Sequence, residues 1–257
     1  MIKLKTKEEI EKLKTGGQIL AKILQELKQD LKPGVSSFFL NEKGHRLMKE
    51  AGGKPSFLGY TPTGANRPYP GAICLSINDE IVHGIPNETE KILKDGDVVT
   101  LDAGLIYEGL FTDHAITIVL GEVDKKIREL ISRTEEALYA GIKQARVGNR
   151  IGDIGSAISK VAESANLSVI ESLTGHGVGY GVHEDPYIPN YGRAGEGELI
   201  KEGLVIAIEP MFSIGTDEIK IASDGYTYLT ADGSISAQFE HTVAVTSDGP
   251  IILTKLI

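Results

Sequence analysis

Residues 98–120, VVTLDAGLIYEGLFTDHAITIVL, decide how this chain folds. Two apolar runs, 98–103 and 110–120, are rich in the branched and aromatic residues that favour strands. Between the runs, Tyr107-Glu108-Gly109 has the composition of a tight turn. We therefore predict a β-hairpin, and a hairpin places side chains of its two strands next to each other.

Each strand of this hairpin carries one carboxylate, Asp102 or Asp113, and the two are eleven residues apart. The same polar-in-apolar setting recurs at His176 in TGHGVGYGVH, Glu209 in LVIAIEPMF and Glu240 in SAQFEHTVAV. Burying a carboxylate is costly unless a positive charge compensates it, and no Lys or Arg adjoins any of these four in sequence. Bound metal ions would compensate all of them together.

The number of ligands favours more than one ion. Four carboxylates and one imidazole exceed what a single small cation uses well, whereas two divalent ions ~3.5–4 Å apart with bridging carboxylates match the number. Such a pair binds a shared water, lowers its pKa and polarises a carbonyl. Oxygen-rich ligation with one nitrogen suits cobalt, manganese or iron(II), permits zinc and disfavours copper.

Each residue also has a plainer explanation. Asp102, before Ala-Gly, could be a turn aspartate, and His176, between glycines, could be a loop histidine. His83 in NDEIVHGIP is compatible with either kind of role. Glu209 and Glu240 are poor core residues without a partner. The coincidence of all these residues in one chain favours the metal site.

The order of predicted elements, helix, helix and strands, occurs twice. Thr6 followed by Glu9 has the pattern of a capping box and opens a helix that ends at Pro33-Gly34, and Ser36 or Ser37 caps a second. Residues 54–70, rich in proline and glycine, are predicted to be a loop. The other predicted elements are helices over 124–145 and 151–165 and strands over 72–78, around 168, and over 204–214, 226–230 and 236–246.

These elements predict an α+β fold in which helices back a mostly antiparallel sheet around a central metal cleft. No Pro/Ser-rich linker divides the chain, so we expect one catalytic domain over residues 1–257, built from pseudo-symmetric halves of about 1–121 and 122–257.

Composition excludes several classes of protein. The net charge of −9 argues against a broad cationic surface for nucleic acid. The single cysteine excludes an intramolecular disulfide and a cysteine-based zinc cluster. No run approaches about 18 apolar residues and the N-terminus lacks an apolar signal core, so neither a membrane span nor a secretory signal is expected. We expect a monomeric cytoplasmic enzyme.

Six fragments carry a resemblance to a known family: NDEIVHGIP, VVTLDAGLIYEGLFTDHAITI, IGDIGSAI, GHGVGYGVHEDP, VIAIEPMF and SAQFEHTVAV. Together they are similar to the motif set of the type I methionine aminopeptidases, in peptidase family M24. The resemblance runs from about Lys7 to the end of the chain. A single fragment such as Gly-His-Gly would be weak, but the joint pattern is specific.

The resemblance implies the pita-bread (creatinase/aminopeptidase) fold with a dinuclear metal centre. By position, Asp102 would bind one ion and His176 and Glu209 the other, while Asp113 and Glu240 would bridge both. The implied reaction is hydrolytic removal of the N-terminal methionine from nascent proteins and peptides whose second residue is small, by an activated hydroxide. Transient association with the ribosome is compatible with that role.

The resemblance also assigns residues that are not metal ligands. His83 and His183 correspond to the family's two histidines that contact the substrate and the transition state, and Glu209 to its proton carrier. Cys74 and Tyr60 occupy stretches that match the family's methionine pocket. Tyr69 and Tyr226 are further candidate walls of that pocket. Ordinary packing is the plainer explanation for the cysteine and for each tyrosine.

Two other functions are open to the same motifs. X-Pro aminopeptidases and prolidases share the fold and the ligands but usually carry an additional N-terminal domain, which we do not expect here because the first helix begins near Thr6. A non-catalytic pita-bread binding protein would have lost metal ligands, yet competent residues occupy all five ligand positions.

Overall fold

The helices begin and end close to the residues that the sequence predicts. The computed structural model describes residues 1–256. Within them, Thr6 caps the first helix by accepting the backbone N–H of Glu9, while the Glu9 carboxylate accepts the backbone N–H of Thr6. The described helices are α1 (Lys7–Asp30), α2 (Ser37–Glu50), α3 (Lys125–Gln144) and α4 (Ile151–Ser164).

The strands are more numerous than predicted, and the first strand of the hairpin extends to Tyr107, beyond its predicted end at residue 103. The predicted strand over 204–214 divides at Glu209-Pro210, where proline removes an N–H, and the one over 236–246 divides at Phe239. The described strands are β1 (Lys54–Pro55), β2 (Cys74–Ile77), β3 (Glu80–Val82), β4 (Val98–Tyr107), β5 (Leu110–Val119), β6 (Ser168–Val169), β7 (Thr174–Gly177), β8 (Glu184–Pro189), β9 (Val205–Ile208), β10 (Met211–Ser213), β11 (Ile219–Ile221), β12 (Tyr228–Thr230), β13 (Ser236–Gln238), β14 (Glu240–Thr246) and β15 (Gly249–Ile252).

One antiparallel sheet runs through the middle of the molecule in the order β1-β4-β5-β14-β9-β7-β8, with β2 beside β4 and β15 beside β14. The predicted hairpin supplies β4 and β5, its two longest strands. Glu108 and Gly109 have φ of 47° and 81°, the left-handed values that a tight two-residue hairpin turn requires. The prediction of an antiparallel sheet backed by helices is confirmed.

The helices pack on the strands in two large apolar clusters. Leu101 and Leu105 of β4 lie in one apolar cluster with Leu24 of α1 and Met48 of α2. A second cluster joins α3 and α4 to β9 and β14. Among residues 1–256, no helix combines the length and the hydrophobicity needed to cross a lipid bilayer.

Strands β5 and β14, which are far apart in sequence, pair with each other in this sheet. His114 is the cross-strand partner of His241, and their imidazole rings stack with centroids 4.6 Å apart. The neighbouring residues Asp113 and Glu240 point to the opposite face of the sheet, because side chains alternate along a strand. Thr242 supports this junction, since its hydroxyl accepts the backbone N–H of Asp113 and donates to the carbonyl of the same residue.

The cap of α1 can be tested by Thr6→Ala. Losing the side-chain acceptor at the N-cap is expected to lower the free energy of unfolding by about 1 kcal/mol, measured by urea denaturation. Thr15→Ala is the matched control, because Thr15 is exposed within the same helix and alanine is the better helix former. Equal losses in the two variants would contradict the cap.

Candidate metal centre

Consecutive strands of the central sheet bring the predicted ligands to one point. Asp102 lies on β4 and Asp113 on β5, with Glu240 at the start of β14, where it pairs with Ala115. Glu209 directly follows β9, the next strand, and His176 lies on β7, opposite Ala207 of β9. Residues that are far apart in sequence therefore converge, because the sheet order places their strands side by side.

The ligand atoms are close together and buried. One ligand atom each of Asp113, His176 and Glu240 lie within 4.8 Å of one another. The Nε2 atom of His176 is 3.4 Å from Oε1 of Glu209. Asp102 Oδ1 and Glu240 Oε1 are buried without a hydrogen-bond partner. A buried carboxylate oxygen left unpaired in a folded protein indicates a partner such as a cation.

Crowding and burial shift the pKa of every acid in the cluster upward. Burial raises the pKa of Asp102 to about 7. Burial, followed by the charges of Asp102 and Glu209, raises the pKa of Asp113 well above its usual range. Burial first, and then neighbouring carboxylates, do the same for Glu209 and Glu240. The four carboxylates can therefore lie together in this cleft only if protons or bound cations offset their negative charges.

The protein supplies no basic side chain for this purpose. Within residues 1–256, no lysine or arginine forms an ion pair with any of the four carboxylates. Carboxylate oxygens and one imidazole are ligands that divalent transition metals accept. Three observations fit a metal centre: the set of ligand atoms, the unpaired carboxylate oxygens, and the absence of lysine or arginine partners among residues 1–256.

Hydrogen bonds behind the ligands fix their orientation. The Nδ1 atom of His176 lies 2.9 Å from the carbonyl oxygen of Gly177, so an N–H donated there leaves the Nε2 lone pair facing the carboxylates. The amide of Gln238 donates to Glu209 Oε2 at 3.1 Å, and that of Asn190 donates to the Glu209 carbonyl at 3.0 Å. The sequence analysis did not assign a role to Gln238 or Asn190; Gln238 ends β13, two residues before Glu240.

Two further histidines flank the cluster. His83 has φ of 60° and packs its ring edge against Tyr228, with centroids 5.6 Å apart. The ring of His183 stands edge-on to that of His176 at 4.5 Å, and its Nδ1 lies 3.0 Å from the hydroxyl of Tyr60. Burial lowers the pKa of His83 to about 4, so its imidazole is neutral at pH 7.

An apolar pocket adjoins the carboxylates. Its buried wall is formed by Cys74, Tyr69, Tyr226 and Phe57. Phe57 belongs to the predicted loop over residues 54–70, and the sequence analysis did not assign it to the site. Phe57 reaches this wall because Gly104 of β4 has no side chain, and a Cβ there would lie 2.8 Å from the Phe57 ring. The eleven predicted site residues all line one cavity of about 60 Å³.

A wider groove opens from this cavity to the surface. It has a volume of about 580 Å³ and shares His83, His176, His183 and Glu209 with the smaller cavity. An apolar pocket beside buried acids can enclose the first side chain of a bound peptide, and the open groove can hold the residues that follow it.

Comparison with known proteins agrees with this geometry. Residues 11–247 match the family described as metallopeptidase family M24. The chain belongs to this family. A methionine aminopeptidase of Aquifex aeolicus is 45% identical in an alignment of length 257 that covers 99% of this chain and 99% of that protein. The predicted resemblance to the methionine aminopeptidases is therefore confirmed, and membership of a metallopeptidase family agrees with the metal-centre chemistry described above.

Solved structures of family members confirm the predicted pita-bread fold. The crystal structure of a methionine aminopeptidase from Thermotoga maritima matches with a TM-score of 0.94 and 41% identity, covering 99% of this chain and 100% of that one. A prolidase from Pyrococcus horikoshii matches with a TM-score of 0.76 and 22% identity, and the match covers 99% of this chain but only 64% of the prolidase. The second likeness concerns the fold alone.

Metal binding to this centre can be measured as stabilisation. Manganese or cobalt added to chelator-treated protein is expected to raise its melting temperature, because a ligand at 100 times its Kd adds about 2.7 kcal/mol to folding. Glu240→Gln keeps the size of the side chain and removes its charge, so it should lose most of the shift. Glu163→Gln, exposed on α4, should keep it. An undiminished shift in Glu240→Gln would count against the centre.

Proposed function

We propose that this enzyme hydrolytically removes the N-terminal methionine from polypeptides whose second residue is small, using two divalent ions of cobalt, manganese, iron(II) or zinc. One observation carries the proposal: an apolar pocket lined by Cys74 and Tyr69 adjoins the buried acid cluster within one cavity. The pocket suits an unbranched thioether, and the cluster suits the chemistry of hydrolysis.

The ions would be held as the family motifs suggest. Asp102 would bind one ion and His176 with Glu209 the other, while Asp113 and Glu240 would bridge them. When bound, such ions lower the pKa of a water and polarise a carbonyl. The unpaired oxygens of Asp102 and Glu240 support this assignment.

Glu209, His83 and His183 take part in the reaction itself. Glu209 takes the proton of the attacking water and returns it to the leaving amine, as general acid–base catalysis requires. His83 and His183 stand beside the cluster as hydrogen-bonding groups for the scissile peptide. Their neutral rings can donate to a carbonyl oxygen that gains negative charge, which is where preorganised donors stabilise a transition state.

The substrate side chain is selected by the apolar pocket. Cys74, Tyr60, Tyr69 and Tyr226 enclose the methionine side chain, with Phe57 as an additional wall. The substrates are the N-termini of nascent polypeptides and peptides, so the site of action is the cytoplasm, with transient ribosome contact compatible with it. We propose that the enzyme works as a monomer.

Substrate preference tests the proposal. Peptides of the Met-Ala-Ser type should be cleaved about 100-fold faster than those of the Met-Lys type, because the side chain of the second residue must fit beside the acid cluster, where little space is left. Released methionine is quantified by liquid chromatography after reconstitution of the apo-protein with each candidate metal. Equal rates on the two peptides, or a preference for X-Pro peptides, would move the enzyme to the X-Pro aminopeptidase and prolidase class.

The two flanking histidines should affect turnover and not metal binding. His83→Ala and His183→Ala are each expected to lower kcat by about 100-fold, while elemental analysis finds the metal content of the wild type. His45→Ala is the control, since His45 is exposed on α2. Metal loss in either variant would show that the histidine is a ligand and overturn its assigned role.

A further inference from the structure

A buried ion pair joins Lys5, which precedes α1, to Glu184, which is the first residue of β8 and directly follows the site histidine His183. The Lys5 side chain is only 1% exposed, and its Nζ lies 2.8 Å from Oε2 of Glu184, whose side chain is 12% exposed. The same ammonium donates to the carbonyl of Lys3 at 3.1 Å. A lysine buried this deeply is uncommon in proteins and is retained only where its charge is paired.

Glu184 uses its other oxygen to hold the loop itself. Oε1 of Glu184 accepts the backbone N–H of Gly181 at 2.8 Å and also that of Tyr180. The Tyr180 ring faces the Lys5 ammonium, with the centroid 4.8 Å away, and its hydroxyl donates to Glu9 at 2.8 Å. The loop over 179–184 is thus attached to the N-terminal segment at several points.

The aliphatic part of the Lys5 side chain packs closely against the backbone of the loop. Gly179 has φ of 134°, and a Cβ at this residue would lie 2.4 Å from Cε of Lys5. The backbone N–H of Lys5 donates to the carbonyl of Gly203 at 2.7 Å, so Lys5 is itself fixed by the sheet side of the molecule. Lys5 therefore offers the loop a rigid support.

This loop carries His183, which directly precedes Glu184. We infer that Lys5 is a positioning residue: it holds Glu184, Glu184 holds the loop, and the loop sets the imidazole of His183 against His176 and Tyr60. The inference rests on the proposed role of His183 in catalysis. A displacement of a catalytic group by about 1 Å lowers turnover by about 100-fold in enzymes, so such a support has a measurable effect.

The first test compares two lysine variants. Lys5→Met keeps the length of the stem and removes the charge, and kcat for a Met-Ala-Ser peptide should fall about 10- to 100-fold with metal content unchanged. Lys12→Met is the matched control, because Lys12 pairs with Glu108 at 3.4 Å and both side chains are about half exposed. Glu184→Gln makes the same test from the partner's side if Lys5→Met does not fold. Unchanged kcat in a folded variant that has lost this charge pair would overturn the inference.

A double-mutant cycle separates positioning from general destabilisation. If Lys5 acts through His183, adding Lys5→Met to His183→Ala should change kcat by no more than about twofold. A fall as large as that in the wild-type background would show that Lys5 acts on the fold in general and would overturn the inference.

Hydrogen exchange keeps this inference separate from the proposed function. Lys5→Met should speed exchange at the amides of Tyr180 and Gly181 and leave α3 unchanged. If the wild-type protein released no methionine, the proposed function would fail, and exchange at these amides would still report on the support. Unaltered exchange in Lys5→Met would overturn the support itself.

Discussion

Repulsion among four carboxylates enclosed in one apolar cleft is the constraint on which the rest of this structure depends. Adjacent strands place these acids side by side, burial raises the pKa of each, and within residues 1–256 no lysine or arginine forms an ion pair with them. The supporting hydrogen bonds make sense in this light. Gln238 and Asn190 hold Glu209, and Gly177 orients His176, so the protein maintains an arrangement that would otherwise separate.

Strong local patterns allowed much of the fold to be predicted. The capping box at Thr6 and the turn at Glu108-Gly109 each follow from the chemistry of a few neighbouring residues. The charged residues of the cluster were recognisable because an acid within an apolar run contradicts its surroundings. The division of the chain at about 121 and 122 into pseudo-symmetric halves remains a prediction.

Features that depend on distant contacts could not be predicted. β7 and β8 flank a glycine-rich stretch with little strand propensity, and they belong to the sheet because β7 pairs with β9 and β8 pairs with β7. Phe57 joins the pocket because Gly104, almost fifty residues later, leaves room for it. Lys5 reads as one lysine in a lysine-rich start, and nothing near it in sequence announces a partner at Glu184. Such neighbours are made by tertiary structure alone.

The alternation of side chains along the central strands limits how the length of this chain can change. Asp102 faces the cleft while Leu101 and Ala103 face the helices, and Glu240 and His241 divide in the same way. Inserting or deleting one residue inside β4 or β14 would turn an acid into the helix layer and an aliphatic or imidazole group into the cleft. These ligand-bearing strands should therefore tolerate substitutions more readily than odd-numbered changes of length.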